Sequence, residues 1–276
     1  MNITDEELLM IEHLTYLNES VAKAAGLKGI ELVENRSIYT LLSSFDSTAI
    51  ANLEAKGDEP LAAEVSGYEW AQIIKYLQNN TRLNKLVLTE TMETPKGVPL
   101  ALCFTDGTPD TREAIIAFKG TTGGDEWSDN VEGAILRDTP DQIEALEFVQ
   151  GLPYADITLT GHSKGGNKAN YITILCDKVT RCVGFDPQGF SQLFLNDPKY
   201  SKRIEERASL IKNYSLSTDF VHILLYELPG AKQIFCKGFG VDSTGQHHSP
   251  NSFFYTDYYG NLVLDGIFEF PMFVES

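Results

Sequence analysis

The chain has 276 residues, and its apolar fraction of 42% is enough to build the core of one large domain. Its 22 basic and 39 acidic residues give a formal net charge of −17, which argues against charge-driven binding of nucleic acid or anionic membranes. The four cysteines lack metal-ligand spacing, and no histidine–acid spacing or glycine-rich loop indicates a metal or nucleotide site, so no cofactor is predicted.

The N-terminal segment is acidic and does not have the pattern of a signal peptide. No apolar run in the sequence is long enough to cross a bilayer, so a cytoplasmic location with reduced cysteines is predicted, while the oligomeric state is left open. Thr4 and Glu7 form a capping-box pattern, and the apolar residues behind them predict a helix that runs to about Ala25. A second helix is predicted from Tyr68 to Leu77.

After an early hairpin, segments typical of strands and helices alternate from about residue 111. Residues 87–91 and 98–104 predict a hairpin, and the apolar run at 114–118 predicts a buried parallel strand. The alternation continues with a helix at 140–149, a strand at 157–160, a helix after 163, and strands at 182–185 and 210–214. It predicts a mostly parallel, doubly wound sheet with helices on both faces. A β-like pattern returns at 253–258 and 262–264, around a turn at 259–261.

The motif G-x-S-x-G occurs at residues 161–165, between a predicted strand and a predicted helix. In that setting the serine, Ser163, sits on a strained turn that pushes its hydroxyl out of the sheet, and the two glycines remove side chains that would collide with strand and helix. The N-terminus of the following helix directs N–H groups at an anion that forms there. The side chain of His162, inside the turn, is expected to point away from Ser163.

A serine hydroxyl needs a neighbouring base, and in doubly wound hydrolases an acid and then a histidine follow the serine along the chain. Two acids, Asp186 and Asp219, each follow a predicted strand. Three histidines come after the serine, and we favour His248, with Asp219 as the acid, because its loop is rich in Gly, Ser and Pro. His247 stays a rival base; Asp186 is interpreted as the cap of a turn and His222 as structural.

Several of these segments resemble the fungal-type (class 3) lipases. Residues 118–121 (F-K-G-T) and 127–131 (W-S-D-N-V) are similar to the F-R-G-T and W-x-x-D-L stretches of that family, and residues 161–166 (G-H-S-K-G-G) to its G-H-S-L-G-G turn. Residues 219–221 are similar to the segment that carries its triad aspartate, and 248–249 to its closing histidine loop. Residues 185–190 (F-D-P-Q-G-F) are similar to the N-G-P-G-F segment of a bacterial lipase-like branch of unassigned function.

The resemblance covers about residues 98–255 and implies an α/β-hydrolase fold. We expect residues 1–276 to form a single domain, in which residues 1–90 are a helical and mixed extension packed on a catalytic core of residues 98–276. The first ninety or so residues carry no motif.

The resemblance also implies a serine ester hydrolase of the lipase or phospholipase type, which cleaves small-molecule or lipid acyl esters through an acyl-enzyme. Its triad would be Ser163, Asp219 and His248. Lys119 replaces the usual arginine of the family and Asn130 the usual aspartate, so a catalytically silent binding protein is the alternative. Thioester or amide cleavage by the same triad is a further alternative.

Two further parts of the site follow from the resemblance alone. Thr121 and the backbone N–H of Lys164 match the donors that stabilise the oxyanion in that family. Trp127 and Val131 lie in the segment that corresponds to its mobile lid, which closes over the acyl site.

Overall fold

A computed structural model of the chain describes residues 1–120, 136–217, 219–221, 224–236, 248–256, 262–264 and 267–268. Its strands, in chain order, are β1 (Arg36–Ser37), β2 (Val87–Glu93), β3 (Pro99–Thr105), β4 (Glu113–Phe118), β5 (Asp156–His162), β6 (Val179–Phe185), β7 (Ile211–Leu216), β8 (Lys232–Cys236), β9 (Phe254–Thr256), β10 (Leu262–Leu264) and β11 (Ile267–Phe268). Its α-helices are α1 (Asp5–His13), α2 (Glu19–Ala24), α3 (Ile38–Leu41), α4 (Ser47–Glu54), α5 (Gly67–Asn79), α6 (Pro140–Gly151), α7 (Lys164–Leu175), α8 (Gln192–Leu195) and α9 (Pro198–Arg207).

The described strands form one sheet in the order β1–β2–β3–β4–β5–β6–β7–β8–β11, and β9 and β10 form a separate antiparallel pair. The strand pairs from β4 to β8 are parallel, whereas the pairs on either side of this block are antiparallel. A parallel block with helices between its strands confirms the predicted α/β-hydrolase fold. Because parallel strands share one direction, their carboxyl ends and the loops behind them meet at one edge of the sheet.

Alternate residues of the central strands face two different apolar clusters. Leu102 and Phe104 pack in a cluster with residues of α1, α4 and α5, whereas Ala101 and Cys103 of the same strand pack with residues of α6, α7 and α9. Neighbouring residues of the strand thus point alternately into the two clusters, as expected for a strand that helices cover on both faces. The helices of the N-terminal part therefore cover one face of the sheet; that the whole chain is a single domain stays a prediction.

The first predicted helix is interrupted, contrary to the expectation that it runs to Ala25. The capping box of Thr4 and Glu7 is present, but α1 ends at His13 and a 3₁₀ turn follows. Asn18 then caps α2, because its side chain accepts hydrogen bonds from the first N–H groups of that helix. A new cap within the predicted stretch ends one helix and starts another.

The other long elements agree with the sequence predictions. The second predicted helix is α5, the hairpin is β2 and β3, and the alternating segments are β4, α6, β5, α7, β6 and β7. The turn at 259–261 lies outside the described residues. Elements that the sequence analysis did not predict include α4, α9 and β8, although Asp197 followed by Pro198 is a typical start signal for α9. All four cysteines are buried and form no disulfide bond. Within the described ranges, no helix is both long and apolar enough to span a membrane.

Candidate functional site

The G-x-S-x-G motif forms a sharp turn between β5 and α7. Ser163 has φ 58° and ψ −128°, a region that non-glycine residues rarely adopt, and its side chain is buried except for a small exposed fraction. The turn is held from both sides: the Ser163 N–H donates to the carbonyl of Phe185 at 3.0 Å, and the Ser163 carbonyl accepts from the N–H of Asn167 at 3.1 Å. The serine therefore sits at the carboxyl end of β5 in a strained conformation that its neighbours stabilise.

Glycines let α7 approach the sheet closely, as the sequence predicts. A Cβ atom at Gly165 would overlap with the carbonyl oxygen of Phe118, and one at Gly161 would overlap with the backbone of Gly165. Because these obstacles are backbone atoms of β4 and α7, they cannot rotate away as a flexible side chain can. The close approach fixes the height of the Ser163 turn above the sheet.

An acid and a histidine meet beside this turn. His248 Nδ1 lies 2.9 Å from Oδ2 of Asp219, whose side chain is fully buried. The Asp219 carboxylate also accepts the N–H of Phe220 at 2.7 Å. The ring centroids of His248 and His162 are 4.5 Å apart, so His248 lies against the residue that precedes the serine. The structure thus brings together the turn, Asp219 and His248; their catalytic roles stay predictions.

The link between Ser163 and His248 is not a direct hydrogen bond. Among the contacts of the described residues, none joins the Ser163 hydroxyl to the His248 ring. Hydrogen bonds between nucleophile and base are often long in unliganded hydrolases and shorten when substrate binds. His247, the rival base, lies outside the described residues, as does His222.

Asp186 has a different role from the turn cap that the sequence suggested. It follows β6 with φ 42° and is fully buried. Its Oδ1 accepts the N–H of Leu216 at 2.7 Å, so the carboxyl group bonds to the end of β7 and not to its own turn. Burial, and then the charge of Asp219, raise the pKa of Asp186 well above the ordinary range, which keeps this carboxyl protonated.

The loop after β4 also reaches the serine. A Cβ atom at Gly120 would lie 3.0 Å from Cβ of Ser163, so the residue before Thr121 lies against the turn. Lys164 is the first residue of α7, and the first N–H groups of a helix point out of its N-terminus. Both positions suit the predicted oxyanion donors. Thr121 itself, together with Trp127 and Val131 of the predicted lid, lies outside the described residues, so these roles stay predictions.

The sequence analysis did not predict that Tyr16 contacts the candidate site. The Tyr16 hydroxyl lies 3.0 Å from Nδ1 of His162 and accepts the N–H of Gly120 at 3.1 Å. His162 was expected to point away from the serine, and its ring lies between Tyr16 and His248. No local pattern could have indicated this contact, because Tyr16 and His162 are 146 positions apart.

In the described part of the chain, His162, Asp186 and His248 have the composition of a metal site. Their ligand atoms lie within 4.8 Å of one another. One potential ligand atom of each residue already has a hydrogen-bond partner in the protein. The partners are Tyr16 for His162, Leu216 for Asp186 and Asp219 for His248. The three residues thus lie together beside the Ser163 turn, and each is held by a bond to another part of the chain.

A cavity of about 140 Å³ opens beside the first turns of α7. Its polar and charged lining includes Arg137, Gln142, Lys164, Asn167, Lys168 and Gln188. The volume is smaller than the roughly 300–1,000 Å³ of typical ligand pockets. As formed by the described residues, the cavity accommodates a headgroup-sized molecule and not a complete lipid.

Comparison with solved structures finds several lipases. The Lip2 lipase from Yarrowia lipolytica is 12% identical, with 70% of this chain and 73% of that chain covered and a TM-score of 0.39. The native Rhizomucor miehei lipase–propeptide complex is 11% identical, with 60% and 66% covered and a TM-score of 0.34. The M37 lipase is 14% identical, with 54% and 60% covered and a TM-score of 0.36. The chain thus spans less than two thirds of the length of the last two lipases. Because these likenesses are distant, no conclusion about function is drawn from them.

The sequence match to a family is stronger. No curated protein sequence matches the chain significantly. Residues 62–245, however, match the family model described as a phospholipase-like, Tle-like phospholipase domain. The match includes the Ser163 turn, Asp186 and Asp219 and ends just before His248, and it confirms the lipase-like resemblance. Because it covers more than half of the sequence, the chain belongs to the Tle-like phospholipase domain family of lipase-like hydrolases.

Proposed function

We propose that the chain is a serine hydrolase that cleaves acyl esters of phospholipids or related lipids through an acyl-enzyme. The observation that carries the proposal is the 2.9 Å contact between Asp219 and His248 beside the strained turn of Ser163. A buried carboxylate bonded to Nδ1 of a histidine, next to a serine at a helix N-terminus, is the arrangement that activates a hydroxyl nucleophile. The family match supports a phospholipid as the source of the ester.

The proposed reaction has two halves. Asp219 accepts a hydrogen bond from Nδ1–H of His248, so that Nε2 is free to take the proton of Ser163 as the serine oxygen attacks the ester carbonyl carbon. The oxyanion is stabilised by the N–H of Lys164 and by Thr121. The carbon–oxygen bond of the alcohol then breaks, and His248 returns the proton to that alcohol. In the second half His248 removes a proton from water as the water oxygen attacks the acyl-serine; the bond to the Ser163 oxygen then breaks, His248 returns the proton to that oxygen, and the fatty acid is released.

Labelling with a fluorophosphonate tests the nucleophile. We expect the wild type to be labelled on the peptide that contains Ser163, as mapped by mass spectrometry, and Ser163→Ala to stay unlabelled. Ser201→Ala is the matched control, because Ser201 is exposed on α9 and should leave labelling unchanged. Equal labelling of Ser163→Ala and wild type would overturn the proposal.

Substrate turnover tests the chemistry. Phosphatidylcholine vesicles and p-nitrophenyl esters of different chain lengths should release fatty acid with the wild type but not with Ser163→Ala or His248→Ala. Matched acyl-thioester and anilide substrates distinguish ester cleavage from thioester and amide cleavage. Absence of both labelling and turnover would leave the silent binding protein as the correct function.

A further inference from the structure

The N-terminal segment, which carries no motif, places one phenol against the candidate site. Tyr16 ends the 3₁₀ turn Leu14–Tyr16 after α1 and is 1% exposed. Its hydroxyl contacts Gly120, in the loop after β4, and His162, at the end of β5. These residues are 104 and 146 positions away from it along the chain. A single oxygen atom therefore joins the two segments that flank Ser163.

The Tyr16 hydroxyl bonds both to the N–H of Gly120 and to a ring nitrogen of His162. The N–H of Gly120 donates to the phenol oxygen, so the phenol proton is available to a different partner. Burial lowers the pKa of His162 well below the ordinary range, so its ring is neutral and one nitrogen must accept. The Tyr16 hydroxyl and Nδ1 of His162 therefore share one hydrogen bond, whose direction depends on the tautomer of the ring.

Glu12 is a second neighbour of the Tyr16 hydroxyl. Glu12 is fully buried, and burial raises its pKa well above the ordinary range, while its hydrogen bond with Tyr16 offsets part of this rise. A neutral carboxyl group draws a phenol proton much less strongly than a carboxylate does. The bond between Tyr16 and His162 is therefore compatible with Glu12 beside it.

The orientation of His162 matters because its ring stacks on the proposed base. The rings of His162 and His248 are tilted by 36°, with centroids 4.5 Å apart. Fixing Nδ1 of His162 to Tyr16 fixes the face that His162 presents to His248. A neutral His162 also adds no second positive charge beside His248 when that residue takes up the serine proton.

We infer that Tyr16 is a positioning residue of the proposed hydrolase, which aligns both the oxyanion loop at Gly120 and the ring of His162 against the catalytic centre. The inference rests on the proposed function, because alignment has a kinetic meaning only if Ser163 reacts. The contacts that place Tyr16 at the site are those with Gly120 and His162, so it acts through these two residues. The motif-free N-terminal part of the chain would then be required for catalysis as well as for packing.

Removal of the single hydroxyl tests this inference. Tyr16→Phe should lower kcat for a p-nitrophenyl ester by about 10- to 100-fold, since small displacements of aligned groups have effects of that order, and should leave KM nearly unchanged. Tyr154→Phe is the matched control: Tyr154 is also buried, and its hydroxyl bonds to Thr89 at 3.2 Å, away from the serine. Its kcat should equal that of the wild type. Unchanged kcat in a folded Tyr16→Phe would overturn the inference.

A second variant keeps the test valid if Tyr16→Phe does not fold. His162→Phe keeps a ring beside His248 but removes the nitrogen that bonds to Tyr16, so it should lower kcat by a similar factor. If both fold, the loss of kcat in the double variant should be smaller than the product of the two single losses, because the two residues share one hydrogen bond while Tyr16 also bonds to Gly120. Additive effects would contradict the inference. Loss of wild-type labelling at Ser163 would instead overturn the proposed function, so the two failures are distinguishable.

Discussion

Two carboxyl groups lie close to one imidazole in the candidate site, and they differ in charge. Asp219 bonds to His248 at 2.9 Å, whereas Asp186 is bonded to the backbone of Leu216. Burial and the proximity of Asp219 raise the pKa of Asp186, because two adjacent buried carboxylates cannot both be ionised at low cost. In the proposed mechanism Asp219 is therefore the carboxylate that stabilises a protonated His248, and Asp186, with its raised pKa, is a neighbour of that pair.

Replacement of each carboxyl group by an amide separates these two roles. Asp219→Asn should lower kcat by about 10³- to 10⁴-fold, because the amide cannot hold His248 in the correct tautomer. Asp186→Asn should lower kcat by less than about tenfold, since an amide replaces a protonated carboxyl group of the same shape. Steady-state hydrolysis of a p-nitrophenyl ester measures both. The reverse pattern would assign the triad acid to Asp186.

At the scale of elements, the site depends on how closely α7 lies over β4 and β5. Gly165 faces the carbonyl oxygen of Phe118, and Ser163 is two residues before it at the helix N-terminus. Any outward movement of α7 would therefore move the serine relative to the Gly120 loop. Packing and the geometry of the candidate site are therefore coupled at this one crossing.

A methyl group added at the crossing should affect both. Gly165→Ala should lower the free energy of unfolding by about 2–3 kcal/mol, because the backbone oxygen it meets cannot move without displacing β4. Gly151→Ala at the end of α6 meets nothing within 4 Å and should be neutral or stabilising by up to about 1 kcal/mol. Urea unfolding of the two variants makes the comparison. Equal stabilities would show that α7 relaxes freely.

At the scale of the whole molecule, buried titratable groups make stability depend on pH. Burial lowers the pKa of His13 from 6.5 to about 4, and only a hydrogen bond to the Leu9 carbonyl offsets part of this. Burial also raises the pKa of Glu12 well above 4.5. Burial thus favours the neutral forms of both side chains in the folded protein. Protonation of His13 and ionisation of Glu12 therefore both favour the unfolded chain, where the charged groups are hydrated.

On the acid side, His13 should be the sensitive group. Its folded pKa is below its unfolded one, so its contribution is present above pH 6.5 and is lost as the pH falls towards about 4. Between pH 6.5 and 5 this amounts to about 2 kcal/mol. His13→Asn keeps a donor for Leu9 and takes up no proton, so its unfolding free energy should fall less than that of the wild type. Parallel pH profiles of the two proteins would contradict this assignment.

On the neutral side, Glu12 acts with the opposite sign. Its folded pKa is above its unfolded one, so its contribution is present below pH 4.5 and is lost as the pH rises through the folded pKa. Glu12→Gln cannot ionise, and its stability relative to the wild type should increase from pH 4.5 to pH 7. Urea unfolding at several pH values measures the difference. A constant difference would mean that Glu12 is ionised in the folded protein.

Much of the fold was accessible from the sequence because its signals are local. The strand before Ser163, the glycines beside it and the helix behind it are specified by neighbours along the chain, as is the capping box at Thr4. The interruption of the first helix at Asn18 is also a local signal, which the apolar periodicity of the surrounding residues concealed.

The sequence by itself determined the type of sheet, the position of the turn at Ser163 and a short set of acids and histidines around it. Only the tertiary structure decided that Asp219 and His248 are partners, that Asp186 bonds to Leu216, and that Tyr16 joins Gly120 to His162. The reason is physical: periodicity and turn chemistry depend on adjacent residues, whereas these contacts depend on which loops the packed faces of the sheet bring to one edge.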